Sequence, residues 1–173
     1  MKAVVVYESH WGNTEAIARA IAEGLGPDTR ALNTDEATGP AIAGADLIVA
    51  GSPVIAFALP REGFRKQIAG DVKAPRPPDV SHPFLRSWLD ALPAGQGWVA
   101  AFETRIWWSP RGATGTIEAK LKRAGYRRLT KSERFVVAGA YGPPREGELE
   151  RARAWGSDLA RAYAAASRKG GTS

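Results

Sequence analysis

The chain has no cysteine, one methionine and only two histidines in its 173 residues. The first absence excludes disulfides, thiol nucleophiles and cysteine-ligated zinc or iron–sulfur centres. Two isolated histidines with no carboxylate cluster beside them argue against a metal site, and no serine–histidine–aspartate arrangement emerges. Long apolar runs are missing as well. Nowhere do 18 apolar residues occur together, and the first residues show no basic stretch leading into an apolar core. The expectation is a cytoplasmic protein without a membrane span.

The composition is that of an ordinary globular protein. Apolar residues make up 44% and charged residues 24%, near the average for soluble domains. One domain over residues 1–166 is expected, with 167–173 as a disordered tail. The net charge of +6 is unevenly spread: 9 basic against 10 acidic residues over 1–86, and 15 against 8 over 87–173. Much of the excess lies in "EAKLKRAGYRRLTKSER" (118–134). No aromatic stacking platform or nucleic-acid motif accompanies this run, so it reads as a solvated helix face rather than a nucleic-acid site. Its charge can still steer an acidic partner.

Periodicity alternates along the chain. Apolar runs at 2–7, 46–51, 97–102 and 134–139 predict buried strands, with a weaker one at 29–32. Helical spacing predicts helices over 14–24, from near Pro60, through Leu85, Trp88, Leu89 and Leu92, over 116–124, and over 146–166. Gly24 and Gly26-Pro27 are expected to end the first of these. In the last, Leu149, Ala152, Gly156, Leu159 and Tyr163 share the inward face. "GDVKAPRPPDVSHP" (70–83) is too proline-rich for regular structure and predicts a surface excursion. The alternation implies right-handed βαβ units and an α/β fold. Five such units fit a five-stranded parallel sheet of order 2-1-3-4-5. Its ligand crevice lies beyond the carboxyl ends of strands 1, 3 and 4, which points to loops 9–14, 51–57 and 103–112.

The first of these loops, "SHWGNT", has neither GxxxxGK[ST] nor GxGxxG, so nucleoside triphosphates and dinucleotides are disfavoured. It places hydroxyl, glycine and amide residues directly before a helix. Such a junction is either an ordinary capped turn or an anion cradle, in which helix N–H groups carry partial positive charge and Gly12 admits close approach. With no Lys or Arg in the loop, a monophosphate held mainly by neutral donors is the natural guest. His10 either lies beside that phosphate or points to solvent, and His82 has no evident partner.

Ser9-x-x-Gly12-Asn13-Thr14 after a first strand resembles the FMN phosphate loop of flavodoxins, usually T/S-x-T-G-x-T. Trp11 stands where a Thr is usual, so one hydroxyl is missing. "AGSPV" resembles the second flavin loop, "FETRIWW" occupies the place of the third, and "GPPREGELERARAW" is similar to the entry of the last helix in small bacterial flavodoxin-like proteins. The resemblance spans essentially the whole chain and implies a flavodoxin-like three-layer sandwich with FMN as cofactor. It also implies that Ser9, His10, Trp11, Gly12, Asn13 and Thr14 surround the phosphate. Trp107 or Trp108 would stack on the flavin ring, with Trp11 or Phe57 covering its other side. Ser52, Pro53 and Val54 would meet its N5–O4 edge, and Pro53 would stiffen that loop against reorganisation. Thr104 and Arg105 would meet the pyrimidine edge, where a guanidinium stabilises an anionic reduced flavin. The implied function is an electron carrier, whose partner would be acidic given a pI near 9.9. An FMN oxidoreductase using NAD(P)H and a quinone-like acceptor, with residues 70–95 shaping its pocket, is the alternative. A flavin-free protein-binding module is a third reading. Oligomeric state is not legible.

Overall fold

The computed structural model describes residues 1–170, with side chains through residue 168. Its sheet is parallel throughout and runs β2-β1-β3-β4-β5, with β6 also on β4. The strands are β1 (Ala3–Tyr7), β2 (Arg30–Asn33), β3 (Leu47–Pro53), β4 (Trp98–Ile106), β5 (Arg127–Arg128) and β6 (Glu133–Val137). The expected order 2-1-3-4-5 is present, with one amendment: the fifth position is divided. β5 pairs with Trp98 and Val99, and β6 resumes on the same edge beside residues 102–106. Only the second piece carries the apolar β-branched run that the periodicity detects; β5 is two exposed arginines.

The β1 and β3 interiors are buried on both faces, as a parallel sheet covered by helices requires. On one face lie α1 (Asn13–Leu25) and α6 (Glu148–Gly170). Ile17, Ile21, Trp155 and Leu159 pack there on Val5, Val49, Phe102 and Phe135. On the other lie α4 (Leu85–Ala91) and α5 (Thr114–Arg123), whose Leu85, Leu89, Ile117 and Leu121 cover Val6, Ile48 and Ala101. Each fully buried Leu, Ile or Phe contributes about 1.5–3 kcal/mol of transfer free energy. Two short helices, α2 (Gly39–Ile42) and α3 (Arg65–Ala69), complete the set. No helix among the described residues is long and apolar enough to cross a membrane.

Several boundaries depart from the periodicity. Gly24 does not end α1. It lies within the helix where α6 crosses, and a Cβ there would collide with the Arg153 carbonyl. Gly156 faces it, and a Cβ on it would collide with the Ile21 carbonyl. The stop is Gly26, whose positive φ lets its N–H reach the Ala22 carbonyl at 3.2 Å. β4 continues through Ile106, because β3 pairs it as far as Thr104 and β6 pairs its other edge. Residues 103–106, expected in a loop, are therefore strand. α6 continues through Gly170 into the segment expected to be disordered, and residues 171–173 lie outside the described residues. Leu149 is 37% exposed rather than inward. The excursion 70–83 holds no helix or strand.

Candidate functional site

β1 delivers the chain into the first loop through Glu8, whose N–H still donates to Gly51 O at 3.0 Å. The loop then turns sharply at Gly12, which adopts φ +88°, a conformation that costs residues with a Cβ about 1–2 kcal/mol. α1 begins at Asn13 with Gly12 as N-cap and no side-chain cap. The Ser9 hydroxyl accepts from Gly12 N–H at 3.1 Å instead of capping the first turn. Helix N–H groups without a side-chain cap are a receptor for negative charge. Thr14 is buried, and its hydroxyl lies 2.7 Å from that of Thr104, tying the first loop to β4.

Beneath the loops, two buried glutamates repeat one device. Glu8 Oε2 accepts the Leu85 N–H at the start of α4 (2.7 Å). Glu103 Oε2 accepts the N–H groups of Ala113 (2.6 Å) and Thr114 (3.0 Å) at the start of α5. Each carboxylate thus replaces a missing N-cap and faces the positive end of a helix. Each also holds a cationic or imidazole partner. His10 Nε2 lies 2.8 Å from Glu8 Oε1, and Arg105 Nη1 lies 3.0 Å from Glu103 Oε1. His10 is therefore neither solvent-facing nor free. Its Nδ1 donates to Asp79 O at 2.9 Å, since a carbonyl only accepts. Arg105 is buried to 9% exposure with its guanidinium at the crevice wall. Ser52, in register with Glu103, is fully buried, and its hydroxyl donates to Pro53 O at 3.0 Å.

The excursion 70–83 is strapped across the first loop. Asp79 N–H donates to His10 O (2.8 Å), and Trp11 Nε1 donates to Arg76 O (3.3 Å). In return, Arg76 Nη2 donates to the Trp11 carbonyl. Tyr141, from the loop after β6, packs edge-on to Trp11 at 5.1 Å between centroids and donates to Asp71 Oδ2 at 2.8 Å. That carboxylate raises the Tyr141 pKa by holding its proton. His82 bridges Asp35 (2.7 Å) and Asp79 (3.0 Å), pinning the far end of the strap to the loop after β2.

These segments enclose a crevice of about 260 Å³ at the carboxyl end of the sheet. Of the expected residues, Ser9, His10, Trp11, Asn13, Thr14, Pro53, Val54, Thr104 and Arg105 line it. Gly12 supplies the turn and sits against Arg76. Ser52 faces the protein interior. Phe57, Trp107 and Trp108 are outside the cavity, exposed to 39%, 68% and 54%. Phe57 and Trp108 meet edge-to-face at 5.8 Å, forming an aromatic rim. Ala56 and Phe57 both have positive φ, in a tight turn closed by Ile55 and Ala58, which holds the phenyl ring outward. Sequence reasoning missed a whole wall: Phe64, Gln67 and Ile68 around α3, then Asp71 and Tyr141. Residues 70–83 have no period, so nothing local signals where their side chains return.

Solved structures share this architecture. An archaeal flavodoxin is 23% identical, with a TM-score of 0.65 over 95% of this chain and 99% of its own. Oxidised Flavodoxin 1 from Bacillus cereus is 15% identical, with a TM-score of 0.65 over 93% and 98% of the two chains. This is a flavodoxin-like fold. A flavodoxin, WrbA-like protein from Agrobacterium tumefaciens is also similar, at 20% identity and a TM-score of 0.61 over 95% and 98%. No family model matches the sequence, and no curated protein matches it.

Proposed function

We propose that this chain binds FMN and acts as a redox protein, as a one- or two-electron carrier. The observation that carries the reading is the convergence of the first loop, the loop after β3 and the carboxyl end of β4 on one crevice, with the uncapped α1 N-terminus in its lining. The donor set fits a phosphate monoester: backbone N–H groups at residues 13–15, the Thr14 hydroxyl and the Asn13 amide. No carboxylate belongs to the loop itself, and Glu8 beneath it is already engaged by His10 and Leu85. The walls fit a flat heteroaromatic ring, with Pro53, Val54, Ile106 and Val137 apolar and Trp11 and Tyr141 aromatic. FMN, when bound, supplies the electron transfer. The protein's part is binding, orientation and exclusion of water.

The Thr14–Thr104 pair fixes the distance between the first loop and the carboxyl end of β4. Arg105 presents positive charge at the crevice wall, moderated by Glu103. Phe57 and Trp108 form an exposed aromatic pair outside the cavity. One observation favours the oxidoreductase alternative. The α3 wall, with Gln67 and Asp71, adds polar groups to the crevice that phosphate and ring recognition do not require. Anaerobic mixing of the FMN-loaded protein with NADH and NADPH separates the two. A carrier leaves the nicotinamides unconsumed over minutes and reacts with a one-electron donor. Turnover of NAD(P)H with a quinone moves the assignment to the enzyme, and failure to take up FMN leaves the flavin-free binding module.

A further inference from the structure

The first loop contains no lysine or arginine, yet a guanidinium lies on it. Arg76 comes from the strap, more than sixty residues further along the chain. Its Nη2 donates to the Trp11 carbonyl and would lie only 3.0 Å from a Cβ built on Gly12. Among the described residues Arg76 forms no ion pair, although most other arginines of the chain are paired or stacked on rings. The residue that anchors it is Trp11, whose indole N–H donates to the Arg76 carbonyl at 3.3 Å. The two residues thus exchange hydrogen bonds. Trp11, which displaces a loop hydroxyl, holds in place the residue that brings a full charge.

We propose that Arg76 is the charged ligand of the phosphate group in this crevice, and that Trp11 is its positioning residue. The assignment rests on the FMN reading given above. A guanidinium beside a helix N-terminus offers planar, charge-assisted hydrogen bonds to phosphate oxygens. Four of its five N–H donors remain once the Trp11 carbonyl is satisfied. The crevice then discriminates strongly between phosphorylated flavin and riboflavin, and its affinity for FMN depends on salt.

The test compares FMN and riboflavin affinities, by flavin fluorescence, for the wild type, Arg76→Met, Arg76→Lys, Trp11→Phe and Lys73→Met. Arg76 is exposed, so its substitution leaves the core intact, and Lys73→Met removes the same net charge from the same strap. Arg76→Met is expected to weaken FMN by about 10- to 100-fold, the worth of one charged hydrogen-bonding partner, and to leave riboflavin unchanged. Arg76→Lys restores part of the loss. Trp11→Phe shows a smaller loss in the FMN-to-riboflavin ratio, and Lys73→Met shows none. The FMN affinity of Arg76→Met also falls less between low and high salt than that of the wild type. An unchanged ratio in Arg76→Met, with the wild type still binding FMN, overturns the assignment of Arg76 alone. A wild type that binds neither flavin overturns the FMN reading, and this assignment with it.

Discussion

Glu103 shows how much one side chain carries here. It is fully buried, compensates Arg105, and satisfies two backbone donors of α5. Breaking a buried pair leaves an uncompensated charge, so Glu103→Ala should cost about 3–5 kcal/mol in urea unfolding. The exposed pair of Glu23 with Arg153 should cost under about 1 kcal/mol when Glu23→Ala removes it. His82 has a pH signature. Burial lowers its pKa, but the hydrogen bond and charge of Asp35 and the charge of Asp79 outweigh this and raise it overall. Its contribution is therefore full below about pH 6.5 and is lost as pH rises through the raised value. Asp79 is shifted the other way: burial raises it, yet Ser81 and His82 bring it below 3.8 overall. Its contribution is present above that value and lost as pH falls further. The unfolding temperature of the wild type should therefore drop between about pH 6 and pH 8 by more than that of His82→Asn. Parallel profiles for the two proteins would remove His82 from the anchoring of the strap.

Among the elements, α1 and α6 depend on an absence of side chain. Gly24 and Gly156 meet where these helices cross, and the Ser157 hydroxyl donates to Gly24 O at 3.1 Å. Gly156→Ala must push the helices apart and should destabilise by about 1–3 kcal/mol, despite the better helix propensity of alanine. An increase in stability would contradict the close crossing. Glycine spacing was misread as a helix stop for the same reason: a local pattern does not distinguish a glycine that ends a helix from one that lets another helix approach. Strands and helices with strong periods were legible, including the order of the sheet. The division of the fifth position was not, because β5 holds only by pairing with Trp98 and Val99. That SHWGNT faces the crevice was legible from its place between a strand and a helix, whereas its neighbours Arg76, Asp71 and Tyr141 arrive from distant, aperiodic segments. His10 shows the same limit. Its partner Glu8 is two residues away and was overlooked, since its burial depends on α4 closing over it.

At the scale of the molecule, the charge divides along the chain. The basic run over 118–134 is partly neutralised, Lys120 by Asp90 and Arg128 by Glu118, while Lys122, Arg123 and Lys131 stay exposed. If electrons pass to or from a protein, charge complementarity calls for an acidic one, and the rate of that exchange should fall steeply with ionic strength. A rate that rises with salt would indicate a basic partner. The redox reading rests on whether the crevice holds FMN. The most direct measurement is a titration of FMN fluorescence with the purified protein. Saturable quenching at one FMN per chain, with micromolar or tighter affinity and much weaker response to riboflavin, is the predicted result. Fluorescence of both flavins unchanged across the titration would contradict the account at its centre.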